Sequence, residues 1–153
     1  MYSKEQASAI KQAFWKTFGQ YMSLNLSADG MKINWINYKT GIKHLSFKMD
    51  ADNNTGCIMI EMAHPDAGIQ ELMFEQFREL RPVLEGIVEE AWHWQLHTTD
   101  NNGRTVSRII TCITDVHIFN QDEWPELISF FRPRLLALDE FWSVAQYHFD
   151  LFK

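Results

Sequence analysis

The C-terminal segment carries the sequence pattern that most restricts the fold. Eight apolar residues recur there at alternating steps of four and three, which predicts one long helix with a heptad-like seam. They are Trp124, Ile128, Phe131, Leu135, Leu138, Trp142, Ala145 and Phe149. Leu127, Phe130 and Phe141 widen this face, and Pro133 is expected to bend the helix.

So broad an apolar face needs more cover than one small sheet provides. One interpretation is that the N-terminal helix packs against it. The other is a homodimer, in which the same face of two copies meets. The residues of that homodimer contact would be Phe131, Leu135, Leu138 and Trp142.

Two further helices are predicted upstream of the seam. The first opens on a capping box at residues 3–6 and continues with apolar residues at helical spacing as far as Met22. The second begins after Asp66, a suitable N-cap, and its buried stripe runs to Ile87. Pro82 lies within the second helix and is expected to kink it.

Alternation of apolar and polar residues predicts about five strands. Three follow the first helix as an antiparallel meander, at residues 31–35, 45–49 and 57–62, and a hairpin at residues 92–97 and 106–113 follows the second helix. Residues 116–119 are a candidate for a short additional strand. The order α-β-β-β-α-β-β-α predicts a single α+β domain over residues 1–153, with a mostly antiparallel sheet and helices mainly on one face.

Composition and charge exclude several classes of protein. The chain has 153 residues, 14 basic and 20 acidic side chains and a formal charge of -6, whereas a general nucleic-acid coat needs a basic face. It has no apolar run of the ~18 residues that a membrane span needs, and residues 1–12 are polar where a signal peptide is apolar. We therefore expect a cytoplasmic protein with no membrane partner, in which Cys57 and Cys112 are reduced, buried thiols.

Two patterns invite a metal site, and neither has the required geometry. Residues 50–54 place acids and amides at alternate positions, but Thr55 stands where a calcium loop needs glycine, and strands are predicted on both sides. His93 and His97 lie about 13 Å apart on one predicted strand, too far to share an ion that imidazole holds at about 2 Å. We therefore predict no metal and no cofactor.

The predicted order also matches the core order of restriction-endonuclease-like nucleases, so a distant relation to that topology is a second hypothesis. Those enzymes carry an acid on the second strand and an acid-x-Lys on the third, which hold magnesium and steady the attacking water. Here the second strand opens with Gly41-Ile42-Lys43, and the third has Ala63 in the place of the lysine. No phosphate-binding loop or nucleophile elbow occurs. These departures disfavour an active enzyme.

The sheet face that points away from the helices supplies the candidate binding residues. A mixed face of this kind is able to hold a partner chain, or a nucleic-acid strand that stacks on aromatic neighbours. The candidates are His44, Lys48, Glu61, His93, Gln95, His97 and Arg108. The alternative interpretation is a solvated polar face without a ligand.

Four stretches resemble a known family. They are residues 32–41 (Lys-Ile-Asn-Trp-Ile-Asn-Tyr-Lys-Thr-Gly), 60–70 (Ile-Glu-Met-Ala-His-Pro-Asp-Ala-Gly-Ile-Gln), 94–100 (Trp-Gln-Leu-His-Thr-Thr-Asp) and 138–142 (Leu-Asp-Glu-Phe-Trp). Together they are similar to the bacterial family known as domain of unknown function 4268, over nearly the whole chain. In that family the domain occurs alone or at the C-terminal end of larger proteins, some with nuclease-like domains. The resemblance implies a weak tie to DNA transactions, supports the predicted fold and cytoplasmic location, and brings no catalytic residues.

From these observations we predict a non-catalytic binding or accessory module. It would be a homodimer that acts beside nucleic-acid enzymes, with a protein or a nucleic acid as partner. One alternative is a metal-dependent, nuclease-like hydrolase with a degenerate active site, whose acids meet only in the folded chain; crowded carboxylates with a raised pKa would favour it. The other alternative is a structural homo-oligomerisation domain that uses the C-terminal helix as its contact.

Overall fold

A four-stranded antiparallel sheet forms the centre of the fold, with the strand order β1-β2-β4-β3. The computed structural model describes residues 2–153, so Met1 of the predicted domain lies outside it. The helices and strands are α1 (Lys4–Met22), β1 (Leu45–Ala51), β2 (Thr55–Met62), α2 (Ala67–Glu79), α3 (Arg81–Val88), β3 (His93–Thr99), β4 (Thr105–Thr114) and α4 (Trp124–Ala145). Short 3₁₀ turns lie at Gln121–Glu123 and Gln146–Phe152. The α+β class is confirmed.

The predicted strand at residues 31–35 is wrong, and so is the count of about five strands. The side chain of Asn34 accepts hydrogen bonds from the backbone N–H groups of Ile36 and Asn37, both at 3.1 Å, and so closes a local turn. Trp35 is buried, and its Nε1 donates to the carbonyl oxygen of Asn25. These bonds hold the segment as a loop beside the core.

Residues 116–119 are a second place where no strand forms. The N–H groups of Val116 and Ile118 donate to the carbonyl oxygens of Asn54 and Asp52 in the turn between β1 and β2. The segment is thereby tied to that turn as a loop.

The observed order is α-β-β-α-α-β-β-α, which removes the predicted match to restriction-endonuclease-like nucleases. That match needed three consecutive strands after the first helix, and only β1 and β2 follow α1. Every pairing in the sheet is antiparallel. The second predicted helix is also divided, because α2 ends at Glu79 and α3 begins with Pro82 in its first turn, where a missing N–H costs no hydrogen bond.

The helix caps follow the sequence closely. Ser3 and Gln6 form the predicted capping box of α1. Asp66 caps α2 by accepting the N–H of Ile69 at 3.0 Å. Helix α4 continues through Pro133. No helix in the described part of the chain is both long and apolar enough to cross a membrane.

The apolar seam of α4 is filled from within the chain. Phe131, Leu135 and Leu138 are fully buried, and Trp142 is 3% exposed. The ring of Phe131 lies 5.9 Å from that of Phe18 on α1, which confirms the interpretation in which the first helix covers the seam. The four residues predicted as a homodimer contact are therefore core residues of one chain. The homodimer itself stays a prediction, but these four residues are not available as its contact surface.

Cys57 and Cys112 form a disulfide between β2 and β4, so the prediction of reduced, buried thiols is wrong. The two residues are register partners in the central strand pair, with their Cα atoms 4.1 Å apart. Register partners project to the same side of a sheet. The bridge lies on the face away from the helices, where Cys57 is half-buried and Cys112 is exposed.

The helix-covered face lies close to α4 at Gly56. A Cβ atom there would lie 2.8 Å from Cδ2 of Leu127 and 3.2 Å from Cζ of Phe131, because the helix packs directly on the strand backbone. We expect Gly56→Ala to lower the free energy of unfolding by about 1–3 kcal/mol through overpacking. Urea denaturation measures the effect.

Gly86 in α3 is the matched control for that substitution. It has no heavy atom within 4 Å of the position of an added Cβ. We expect Gly86→Ala to stabilise the protein by about 0.4–1 kcal/mol, because alanine restricts the unfolded chain. Equal effects at both positions would contradict the close approach of α4 to β2.

Candidate functional site

The sheet face opposite the helices carries a set of charged side chains, called here the charged face. It comprises Lys48 and Asp50 of β1, Glu61 of β2, Arg108 of β4 and Gln95 of β3. Strand alternation places these residues on one side, because apolar partners such as Phe47, Ile60 and Ile109 point to the core. Glu61 is the register partner of Arg108, which in turn is the partner of Gln95.

Glu61 is the most unusual member of the charged face. Glu61 is only 5% exposed, although burial of a carboxylate costs free energy because the group loses hydration. The Nζ atom of Lys48 lies 3.7 Å from its Oε2 atom, and the Lys48 side chain is 43% exposed. A half-exposed ammonium at that distance screens the carboxylate weakly, so the ion pair leaves Glu61 able to receive a further donor.

Arg108 is held in place on the other side of Glu61. Its Nε donates to Oε1 of Gln95 at 2.6 Å. This bond orients the planar guanidinium while leaving its other N–H groups available as donors. The charged face therefore offers donors and an acceptor on adjacent strands.

The turn between β3 and β4 adds further polar groups to the charged face. Asp100, Asn101 and Asn102 share a cavity of about 250 Å³ with Lys48, Asp50, Met59, Glu61 and Arg108. The backbone N–H of Arg104 donates to Oδ1 of Asp100 at 2.9 Å, and this bond lowers the pKa of the Asp100 carboxyl below its usual value. Asp100 is thus an ionised acceptor at neutral pH.

A second cavity of about 280 Å³ continues along the same face. It shares Asp50, Met59, Asn101 and Arg108 with the first cavity and extends to the disulfide. Asp52 lies at the rim of this second cavity. Burial acts to raise the pKa of its carboxyl, but hydrogen bonds from the backbone and hydroxyl of Thr55 and from the backbone of Asn54 together lower it. Together the two cavities form a polar groove across β1, β2 and β4.

Four of the seven predicted binding residues come together in this groove or beside it: Lys48, Glu61, Gln95 and Arg108. His93 points to the same side of the sheet, as the register partner of Ile110, but lies outside the lining of both cavities. Sequence reasoning missed Asp50, although its alternation with Lys48 indicates the same face. It also left the turn residues 100–102 out of the candidate site, because their place beside the other residues depends on the folded hairpin.

His97 and His44 lie away from the charged face. A register shift between Gln95 and Thr98 reverses the alternation, and Nε2 of His97 donates to the carbonyl oxygen of Ala67 at the start of α2. His44 precedes β1, and its ring lies 4.8 Å from that of His64. Within residues 2–153, no three side chains of the His, Cys, Asp and Glu types are grouped so that they could hold a metal ion.

Asp139 of α4 is a second buried carboxylate, and it has a structural role. It accepts a hydrogen bond from the hydroxyl of Tyr38 at 2.6 Å and one from the N–H of Ala28 at 2.7 Å. Burial raises the pKa of Tyr38 above its ordinary value, and the bond to Asp139 raises it further. Nearby, Nε1 of Trp142 donates to the carbonyl oxygen of Thr40. These bonds fasten the loop before β1 to α4.

A cavity of about 730 Å³ lies beside α3 and α4. Its two arginines are already bound within the chain. Arg134 makes a bidentate pair with Glu90, with both N–O distances at 2.9 Å, and Arg132 donates to the side chain of Asn25. These two cations bind α4 to the segments that follow α1 and α3. The donors of the charged face, by contrast, are only partly used within the chain.

The fold and the site define a small α+β domain with a charged, uncovered sheet face. The family described as domain of unknown function (DUF4268) matches residues 10–146, and the chain belongs to this family. No curated protein and no solved structure matches the chain.

Proposed function

We propose that this protein is a non-catalytic binding module whose charged face holds a polar segment of a protein partner. The observation that carries the proposal is the Glu61 carboxylate, 5% exposed, between Lys48 at 3.7 Å and its register partner Arg108. A largely buried carboxylate whose ion-pair partner is a half-exposed ammonium gains from a further donor, which a partner would supply.

The chemistry of the groove favours recognition over a reaction. Asp100 is kept ionised by backbone N–H groups, so it serves as an acceptor and is a poor proton donor at neutral pH. Glu61 lies in an ion pair with Lys48. The hydrolase alternative would instead gain support from carboxylates that raise each other's pKa, as two acids in one site do.

The balance of charge favours a polypeptide as the partner. The first cavity has three carboxylates, from Asp50, Glu61 and Asp100, and two cations, from Lys48 and Arg108. A phosphate backbone would meet repulsion from the carboxylates, since nucleic-acid binding draws on an excess of basic groups. A peptide segment carries donors and acceptors of both kinds and complements a mixed surface.

A displayed library of random peptides tests this proposal. We expect peptides selected on the wild-type protein to bind Lys48→Gln/Arg108→Gln about tenfold or more weakly, because each lost charged hydrogen bond costs about 1.5–3 kcal/mol. Lys16→Gln/Arg78→Gln is the matched control, since it removes two cations at exposed positions of α1 and α2. Asp50→Asn, an exposed change on the same face, gives a second variant if the first one unfolds.

Two results would overturn the proposal. In one, no peptide is enriched, or the enriched peptides bind the groove variants and the control with equal affinity. In the other, a labelled oligothymidylate of about 16 nucleotides binds the wild-type protein and loses its affinity in the groove variants. The homodimer, the cytoplasmic location and a role beside nucleic-acid enzymes stay predictions on which this proposal does not depend.

A further inference from the structure

A separate cavity of about 340 Å³ lies where the turn before β1, the first half of α2 and the C-terminal residues meet. It shares no residue with the charged face. Its lining consists of Lys43, His44, His64, Ile69, Leu72, Met73, Leu151, Phe152 and Lys153. Its volume is at the lower end of the range for small-molecule sites, about 300–1,000 Å³.

The apolar part of this cavity is unusually open to solvent. Ile69 is 37% exposed, Leu72 60% and Leu151 87%, and all three line the cavity together with the buried Met73. Large apolar side chains that gather around a concave site, with polar groups at the rim, mark a surface that binds an apolar group.

The polar part of the cavity is entirely basic. Its polar side chains are Lys43, Lys153, His44 and His64, in a chain whose net charge is -6. Lys153 is paired with Asp150 at 3.1 Å, whereas Lys43 makes no ion pair within residues 2–153. The rim therefore presents a free ammonium beside two imidazole rings.

The tautomer of His64 is fixed by its surroundings. Its Nδ1 accepts the backbone N–H of Asp66 at 2.9 Å, so the neutral ring carries its proton on Nε2. The ring of His44 meets that of His64 edge to face at 4.8 Å. The pair thus adds an N–H donor and a second imidazole to the charge of Lys43.

We infer that this cavity binds an alkyl carboxylate, the anion of a medium-chain fatty acid. Lys43 and the two histidines bind the carboxylate through charge-assisted hydrogen bonds. The alkyl chain covers Ile69 and Leu72 and removes their exposed apolar surface from water. An amphipathic anion is the one ligand class that uses both the basic rim and the apolar floor.

Calorimetric titration with decanoate tests the carboxylate contact. The test variant is His44→Asn/His64→Asn. Asparagine tolerates the left-handed backbone of His44, whose φ is 65°, and its side-chain oxygen replaces Nδ1 of His64 as the acceptor for Asp66. We expect this variant and Lys43→Gln each to bind decanoate about tenfold more weakly, with unchanged thermal stability. Lys16→Gln is the control, because Lys16 is exposed on α1 and does not line the cavity. This variant should bind decanoate like the wild-type protein.

The remaining arms test the alkyl chain and the source of the ligand. Leu72→Ser, at an exposed position, should also weaken binding, and decanol should bind at least about tenfold more weakly than decanoate. The inference is overturned if decanoate does not bind, if decanol binds equally well, or if the histidine variant binds like the wild-type protein. Binding to phosphatidylglycerol vesicles without binding to decanoate would also overturn it, since a membrane would then be the ligand. None of these results changes the outcome of the peptide selection.

Discussion

Replacing Phe131 with alanine is expected to lower the free energy of unfolding by about 3–5 kcal/mol. Phe131 is fully buried, and its ring lies 5.3 Å from that of Trp15 and 5.9 Å from that of Phe18. It also packs against Gly56 of the sheet. Alanine would leave a cavity where α1, α4 and β2 meet, because a packed core relaxes only partly around a deleted side chain. Urea denaturation followed by tryptophan fluorescence measures the loss.

Val144→Ala is the control for this prediction, because Val144 lies on the same helix and is 58% exposed. Its effect should stay within about 0.5 kcal/mol. The same variants test whether the seam is packed within one chain. If Phe131→Ala kept its stability and changed only the mass in light scattering, from dimer to monomer, the seam would be a contact between copies and the described core would be contradicted.

Removing the disulfide with Cys57→Ser/Cys112→Ser is expected to cost about 4 kcal/mol of unfolding free energy. The two cysteines are 55 positions apart, so the bridge closes a long loop in the unfolded chain. Without the bridge, the unfolded chain has a higher conformational entropy, which lowers the free energy of unfolding. The folded sheet should persist, because β2 and β4 keep their other seven register partners. Thermal and urea denaturation measure the change.

Reduction gives the control for the disulfide prediction. Wild-type protein in excess dithiothreitol should lose the same stability as the double variant, while the double variant should not respond to the reductant. Thiol titration of the unfolded, unreduced protein should find no free thiol. Two titratable thiols in the purified protein, together with no effect of dithiothreitol, would show that the cysteines are reduced.

Much of the fold follows from patterns that depend on near neighbours. Alternation predicted β1 through β4 to within a few residues, and the capping residues Ser3 and Asp66 marked the helix starts. Alternation failed at residues 31–35 because the Asn34 side chain closes a turn with its own backbone. The side chain of an asparagine in an alternating run thus competes with strand pairing for the backbone N–H groups. Whether a strand or a turn forms at residues 31–35 also depends on where Trp35 is buried.

The missed features depend on contacts between distant parts of the chain. The disulfide requires the register that sets Cys57 opposite Cys112, and the same register sets Glu61 opposite Arg108. The shift in β3 that moves His97 to α2 leaves no mark in the alternation. Asp139 was hidden for a related reason, since its partner Tyr38 lies in a loop 101 positions away.

The alternating pattern did identify the face that forms the candidate site. Lys48, Glu61 and Arg108 were predicted on one side of the sheet, and they line one cavity. Two further carboxylates complete the cavity, Asp50 from β1 and Asp100 from the β3–β4 turn. They change its chemistry, because they convert a basic patch into a surface of mixed charge. The preference for a protein partner over a nucleic acid rests on those carboxylates.

The affinity of one selected peptide for Arg108→Gln tests the central claim most directly. Arg108 lies opposite Glu61 in the groove, and Gln95 orients its guanidinium, so its loss should weaken peptide binding about tenfold or more. Arg78→Gln, on α2, should leave the affinity unchanged. If the Arg108 variant, folded and as stable as the wild-type protein, bound the peptide with undiminished affinity, the charged face would not be the binding site.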